Sequence, residues 1–201
     1  MIVGWRDALI EYLRQEAKPV EKFGHQPRLY ALTQQIGKTF VYDDDVVFAA
    51  CWLHDLGVFV GHRPEEPVVL AAWDNTAYAM EKTPGILTGM GFPMEKIPAV
   101  LEAIATHQPA ENPASIEGVI LRDADILEQL GAVGILRTVC KVGRDTRFHT
   151  FSDAVGALRK AAQVLPGQIR LESTRELMLA RARVLEEFLG AVDSEAGELL
   201  L

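Results

Sequence analysis

Apolar residues recur at spacings of three and four along almost the whole chain, which is the period of an amphipathic helix. Leu9, Tyr12 and Leu13 share one face of a first helix that Lys18-Pro19 closes. A second helix is predicted from near His25, with Pro27 tolerated in its first turn and Leu29, Leu32, Ile36 and Phe40 facing inward. Asp43-Asp44-Asp45 supplies capping chemistry and favourable charge for a third, from about Val46 to His54, with Gly57 and Gly61 in the exit loop. Pro64-Glu65-Glu66-Pro67 opens a fourth reaching toward Lys82, and Pro84-Gly85 and Gly91-Phe92-Pro93 punctuate the stretch beyond it. Met94 to His107 is amphipathic through Ile97, Val100, Leu101 and Ile104, and Pro109 and Pro113 mark a connector. Ser115 to Leu130, Ile135 to Val142 beyond Gly131, and Phe151 to Leu165 before Pro166-Gly167 read as further helices. A last long helix is expected to start at the capping-box pattern Ser173-Thr174-Arg175-Glu176, with Leu177, Ala180, Val184 and Phe188 as its core face.

No strand-like alternation, internal repeat or low-complexity segment interrupts this pattern, and Glu195 to Leu201 is expected to fray. The expected fold is all-α, in a single domain over 1–201, with a core over about 20–145 and C-terminal helices over about 150–195 packing on it.

Composition narrows the function. Hydrophobic residues make up 49% and charged residues 24%, the balance of a globular protein with a real core. The formal charge of −8 repels a polyphosphate backbone, so a nucleic-acid polymer is excluded as the expected partner. A small phosphorylated substrate stays open, because a bound metal reverses the local sign. The two cysteines, Cys51 and Cys140, read as small buried thiols. Neither a basic leader followed by an apolar stretch nor a membrane-length apolar run is present, so the expected location is the cytoplasm, without a membrane.

The chemistry concentrates in a few histidines and acids on apolar faces. His54-Asp55 ends the very apolar run Val46–Leu53, and burying either side chain alone costs several kcal/mol unless it is paired. Neighbours on a helix diverge by about 100°, yet their side chains converge on an ion that lies off the helix end. His25 starts the preceding helix, and a helical hairpin can bring that start beside the end of the next helix. Asp123 and Asp125 lie two apart in an apolar segment, so at least one should face inward, where a carboxylate needs a metal or an arginine. Two imidazoles and two carboxylates suit a divalent metal with open positions for water.

The set His25, His54-Asp55 and Ala124-Asp125-Ile126-Leu127 resembles the HD-domain superfamily of metal-dependent phosphohydrolases. Leu130-Gly131-Ala132-Val133-Gly134-Ile135-Leu136-Arg137, Leu165-Pro166, Thr174, Arg183 and Phe188-Leu189 extend the likeness toward a bacterial subgroup of HD hydrolases and nucleotide pyrophosphohydrolases, over most of 20–190. Ile126 stands where that subgroup usually has Arg or Lys. The resemblance implies an HD-type helical bundle with His25, His54, Asp55 and Asp125 as metal ligands, holding one divalent ion (Mn, Mg, Co, Ni, Fe or Zn). It implies hydrolysis of a nucleotide or other small phosphorylated molecule through a metal-bound water, by a monomer or homodimer. The alternatives are an HD-fold hydratase or iron oxygenase, or a regulatory metal-binding module.

Asp55, His107 and Asp123 are the candidate catalytic residues, and His62, Arg63 and Arg122 the candidate substrate contacts. Arg137, Lys141 and Arg144 could face phosphate or simply be solvated helix charges; His149 has no motif around it and Asp74 is not expected to ligate a metal.

Overall fold

A computed structural model describes residues 4–144 and 148–196. Among them the chain forms ten α-helices and no β-strand, and an isolated bridge joins Val60 to Arg63. The helices are α1 (Trp5–Glu16), α2 (His25–Gly37), α3 (Asp44–Leu53), α4 (Pro67–Ala71), α5 (Asn75–Gly89), α6 (Ile97–Ala105), α7 (Ile116–Glu128), α8 (Gly131–Val139), α9 (Phe151–Val164) and α10 (Glu172–Ala196). None of the described helices is long and apolar enough to cross a membrane. The residues group into two compact units, Met1–Ala124 and Asp125–Leu201, and the division falls inside α7.

In the first unit α3 is the centre. Every residue from Val46 to Leu53 is buried, because this helix is apolar all round and is covered by α1, α2, α5 and α6. Asp43 caps it, accepting from Asp45 N at 3.0 Å. The inner faces of α2 and α6 are as the sequence predicts at Leu29, Leu32, Ile36, Val100 and Ile104. Phe40 departs from prediction: α2 ends at Gly37, and Phe40 lies beyond it, exposed.

One predicted helix is two. Asp74 accepts from Ala77 N at 2.9 Å and starts α5 afresh after the short α4. Pro84-Gly85, expected as a break, lies within α5, where packing against α6 outweighs the propensity cost.

The second unit is built from the end of α7 and from α8, α9 and α10, the last three packing on one another. α9 carries the full capping box, Thr150 with Asp153. α10 begins at Glu172, one residue before the predicted cap, and its buried positions are Thr174, Leu185 and Leu189. Ala180 and Val184, predicted inward, are exposed, so the true core face is offset from the expected one. Of the stretch expected to fray, 197–201 lies outside the described residues. Cys51 is a buried free thiol, as expected, whereas Cys140 is exposed.

Candidate metal centre

His54 is the first residue past α3, its N–H still bonded to Ala50 O at 2.9 Å. Its ring Nδ1 lies 3.0 Å from Cys51 O, a carbonyl of the last helical turn, three residues upstream. A carbonyl can only accept, so Nδ1 carries a proton and Nε2 is the ring atom left to face the cluster. His107, just past α6, has the same arrangement, with Nδ1 at 2.6 Å from Ile104 O. Its Nε2 accepts from Gln108 Nε2 at 3.1 Å.

The backbone leaves the helix at Asp55 (φ −101°, ψ 14°) and turns into a single 3-10 turn, Leu56–Val58. That bend removes the helical divergence between adjacent side chains. Asp55 Oδ2 therefore lies 3.7 Å from His54 Nε2 and equally 3.7 Å from His25 Nε2. His25, the first residue of α2, faces His54 with 3.4 Å between the two Nε2 atoms. One ligand atom each from His54, Asp55 and His107 also falls within 4.8 Å of the others. The histidines are 5%, 1% and 1% exposed for His25, His54 and His107, whereas the Asp55 side chain is 22% exposed and gives the cluster an opening.

The two Nε2 atoms, 3.4 Å apart, need a positive charge between them, which a proton on one ring supplies as a hydrogen bond and a divalent ion would supply by taking both lone pairs. A buried set of imidazole nitrogens beside a carboxylate, its His54 and His107 rings oriented by backbone carbonyls, is the donor chemistry of a divalent metal site. The residues present fit such an ion.

Around this cluster, Asp123 is fully buried and Arg122 nearly so, with 3.4 Å between Arg122 Nη1 and Asp123 Oδ1. Arg122 Nη2 also donates to Pro109 O, in the connector after His107. Arg122, a candidate substrate contact by sequence, has its guanidinium enclosed and bonded to that connector. Asp125, the first residue of the second unit, is half-buried on α7 and accepts from Gln129 Nε2 at 3.2 Å.

His62, a candidate substrate contact by sequence, is largely enclosed. Its Nε2 is 2.8 Å from Glu16 Oε2 and its Nδ1 3.0 Å from Tyr78 Oη, so both ring nitrogens are engaged in tying the exit loop to α1 and α5. Arg63 is half-buried beside it. Arg137 pairs with the buried Glu128 at 3.2 Å, and His149 N donates to Asp153. Asp74 caps α5, as its position before Asn75-Thr76 allows. Sequence reading missed Gln108 as a partner of His107; the signal was present in Thr106-His107-Gln108 at a helix end, but nothing local distinguishes it from an ordinary polar terminus.

No family model and no curated protein matches the chain. Solved structures do. YpgQ of Bacillus subtilis superposes with a TM-score of 0.73 at 20% identity over 97% of both chains. The same protein in complex with ADP gives 0.69 at 19% identity, over 96% of this chain and 99% of that one. A predicted HD superfamily hydrolase from an uncultured Thermotogales bacterium gives 0.63 at 23% identity, over 94% of this chain and 92% of that one. The fold of this protein is the all-α HD-domain fold.

Proposed function

We propose that the protein is a metal-dependent phosphohydrolase acting on a nucleotide or another small phosphorylated molecule. The observation that carries this reading is the convergence of His25 Nε2, His54 Nε2 and Asp55 Oδ2, no pair more than 3.7 Å apart. Asp125, from the sequence motif, is proposed as the fourth ligand of one divalent ion. An ion held there would supply a lowered pKa for a nearby water and positive charge against the phosphoryl oxygens.

The chain's own contribution is orientation and proton traffic. The Cys51 carbonyl holds the His54 ring so that Nε2 faces the cluster. Asp55, the most accessible of His25, His54 and Asp55, is proposed to take a proton from water. His107 is proposed to take a proton on Nε2 in place of the Gln108 donor and then pass it to the leaving oxygen; with its lone pair free, the same Nε2 would instead serve as a further ligand. Asp123 acts through Arg122 and the connector, as a positioning residue. A structural neighbour in complex with ADP supports a nucleotide as the phosphorylated molecule.

The test is metal analysis of the purified protein, with a phosphate-release screen over nucleoside mono-, di- and triphosphates and Mn²⁺, Mg²⁺, Co²⁺ or Ni²⁺ added. Wild type is expected to hold one ion per chain and release phosphate. His54→Ala is expected to do neither while keeping its helical circular dichroism. Metal without phosphate release from any compound would point to hydratase or oxygenase chemistry. Protein that binds no metal would leave a regulatory module.

A further inference from the structure

The turn after His54-Asp55 is pressed against the start of α5. A Cβ on Gly57 would lie 2.6 Å from Asn75 O and 2.7 Å from Asn75 Cα, so only glycine permits this approach. Trp73 Nε1 donates to Gly57 O at 2.9 Å and is fixed by it. A cleft of about 410 Å³ opens here, lined by Trp73, Asp74, Asn75, Thr76, Gln108 and Glu111. That volume lies within the range of small-molecule sites. The cleft is linked to the histidine–aspartate cluster twice: through Gln108, which donates to His107, and through the Trp73–Gly57 bond two residues from Asp55.

The charge of the lining decides what fits. Its ionisable side chains are Asp74 and Glu111, both acidic, with no lysine or arginine among the lining residues. A phosphate is repelled from such a wall, whereas a neutral polar group is not. The lining supplies an indole whose orientation is already set, a hydroxyl on Thr76, and the two carboxamides of Asn75 and Gln108. Each carboxamide offers both a donor and an acceptor. A planar heteroaromatic ring with a hydrogen-bonding edge matches that set.

We infer that this cleft binds the base of a nucleoside, stacked on Trp73 and read along its edge by Asn75 and Gln108, with the phosphate directed out of the cleft to the histidine–aspartate cluster. The placement of the phosphate rests on the phosphohydrolase reading; the binding of the base does not.

The experiment is calorimetric titration of the full-length protein, as purified, with adenosine, guanosine, cytidine and uridine, and separately with ribose and inorganic phosphate. At least one nucleoside is expected to bind, and ribose is not. Inorganic phosphate is expected to leave nucleoside binding unchanged. Trp73→Ala should weaken nucleoside binding by roughly ten- to a hundredfold, the worth of one base–aromatic stack, and Trp73→Phe should restore most of it. Because Trp73→Ala also removes the donor to Gly57 O, Thr76→Trp serves as the second variant, filling the cleft while leaving that donor in place; it should abolish binding. The inference is overturned if none of the four nucleosides binds at millimolar concentration, if binding survives both variants, or if ribose binds as well as the nucleosides. Nucleoside binding without any phosphate release would overturn the hydrolase reading and leave the cleft assignment standing. Hydrolysis of other phosphate esters without nucleoside binding would do the reverse.

Discussion

At His54 and His107 a single local device does the orienting: a helix ends, its last-turn carbonyls lack intrahelical partners, and one of them accepts the ring Nδ1 three residues on. The buried Arg122–Asp123 pair is costly to break. Asp123 is fully buried beside the enclosed Arg122, so Asp123→Ala removes the carboxylate that lies 3.4 Å from a buried guanidinium. The expected loss is about 3 kcal/mol, or roughly 6–12 °C in melting temperature for a chain of this length. A melt within a degree or so of wild type would refute that role for the pair. On the surface, Lys96 Nζ sits 2.8 Å from both Asp43 and Asp45, and Arg6 2.6 Å from Asp45. Lys96 above all, against some opposing burial, holds the Asp45 carboxyl below its ordinary range. A carboxyl depressed in the folded state adds stability above its unfolded pKa, near 4, and that stability is lost as pH falls through the folded value. Lys96→Met should therefore be less stable than wild type at neutral pH, with the difference closing below about pH 4; urea titrations at several pH values would measure it. A difference that persisted unchanged at low pH would rule out this linkage.

At the scale of elements, α3 is the most determined piece. Its continuous apolar run from Val46 to Leu53 can only be buried on all sides, and Asp43 fixes where it starts. The junction between the turn after it and α5 is equally constrained, because backbone meets backbone at Gly57. Gly57→Ala forces the start of α5 away, and overpacking of this kind costs about 1–3 kcal/mol. Denaturant unfolding should show that loss, and nucleoside titration should show a weakened cleft. Full wild-type stability in this variant would mean that the contact yields easily. α10 shows the opposite case. Its helix is legible, but apolar and small residues are spread around it, and the buried set of Thr174, Leu185 and Leu189 is set by which side α8 and α9 occupy.

At the scale of the whole molecule, stability should be linked to metal. An ion that binds only the folded chain stabilises it by about 2.7 kcal/mol at a hundredfold excess over Kd. Wild type should melt higher with added Mn²⁺ and lower after chelation, and His54→Ala should respond to neither. Equal metal-induced shifts in both proteins would remove His54 from the ligand set.

The amino-acid sequence by itself carried the all-helical character, the start of α2 at His25, the burial of α3 and the pairing of His54 with Asp55, since each depends on periodicity, capping and the cost of burying a lone polar group. Tertiary structure decided the rest. The break at Asp74 and the continuity through Pro84 come from how α5 packs on α6 and on the turn at Gly57. The enclosure of Arg122 depends on Pro109, and the engagement of His62 on Glu16 and Tyr78, partners far away in the chain. The convergence of His25, Asp55 and His107 on His54 depends on the bend at Asp55 and on three helix ends meeting, and a separation in sequence carries no information about which ends will meet.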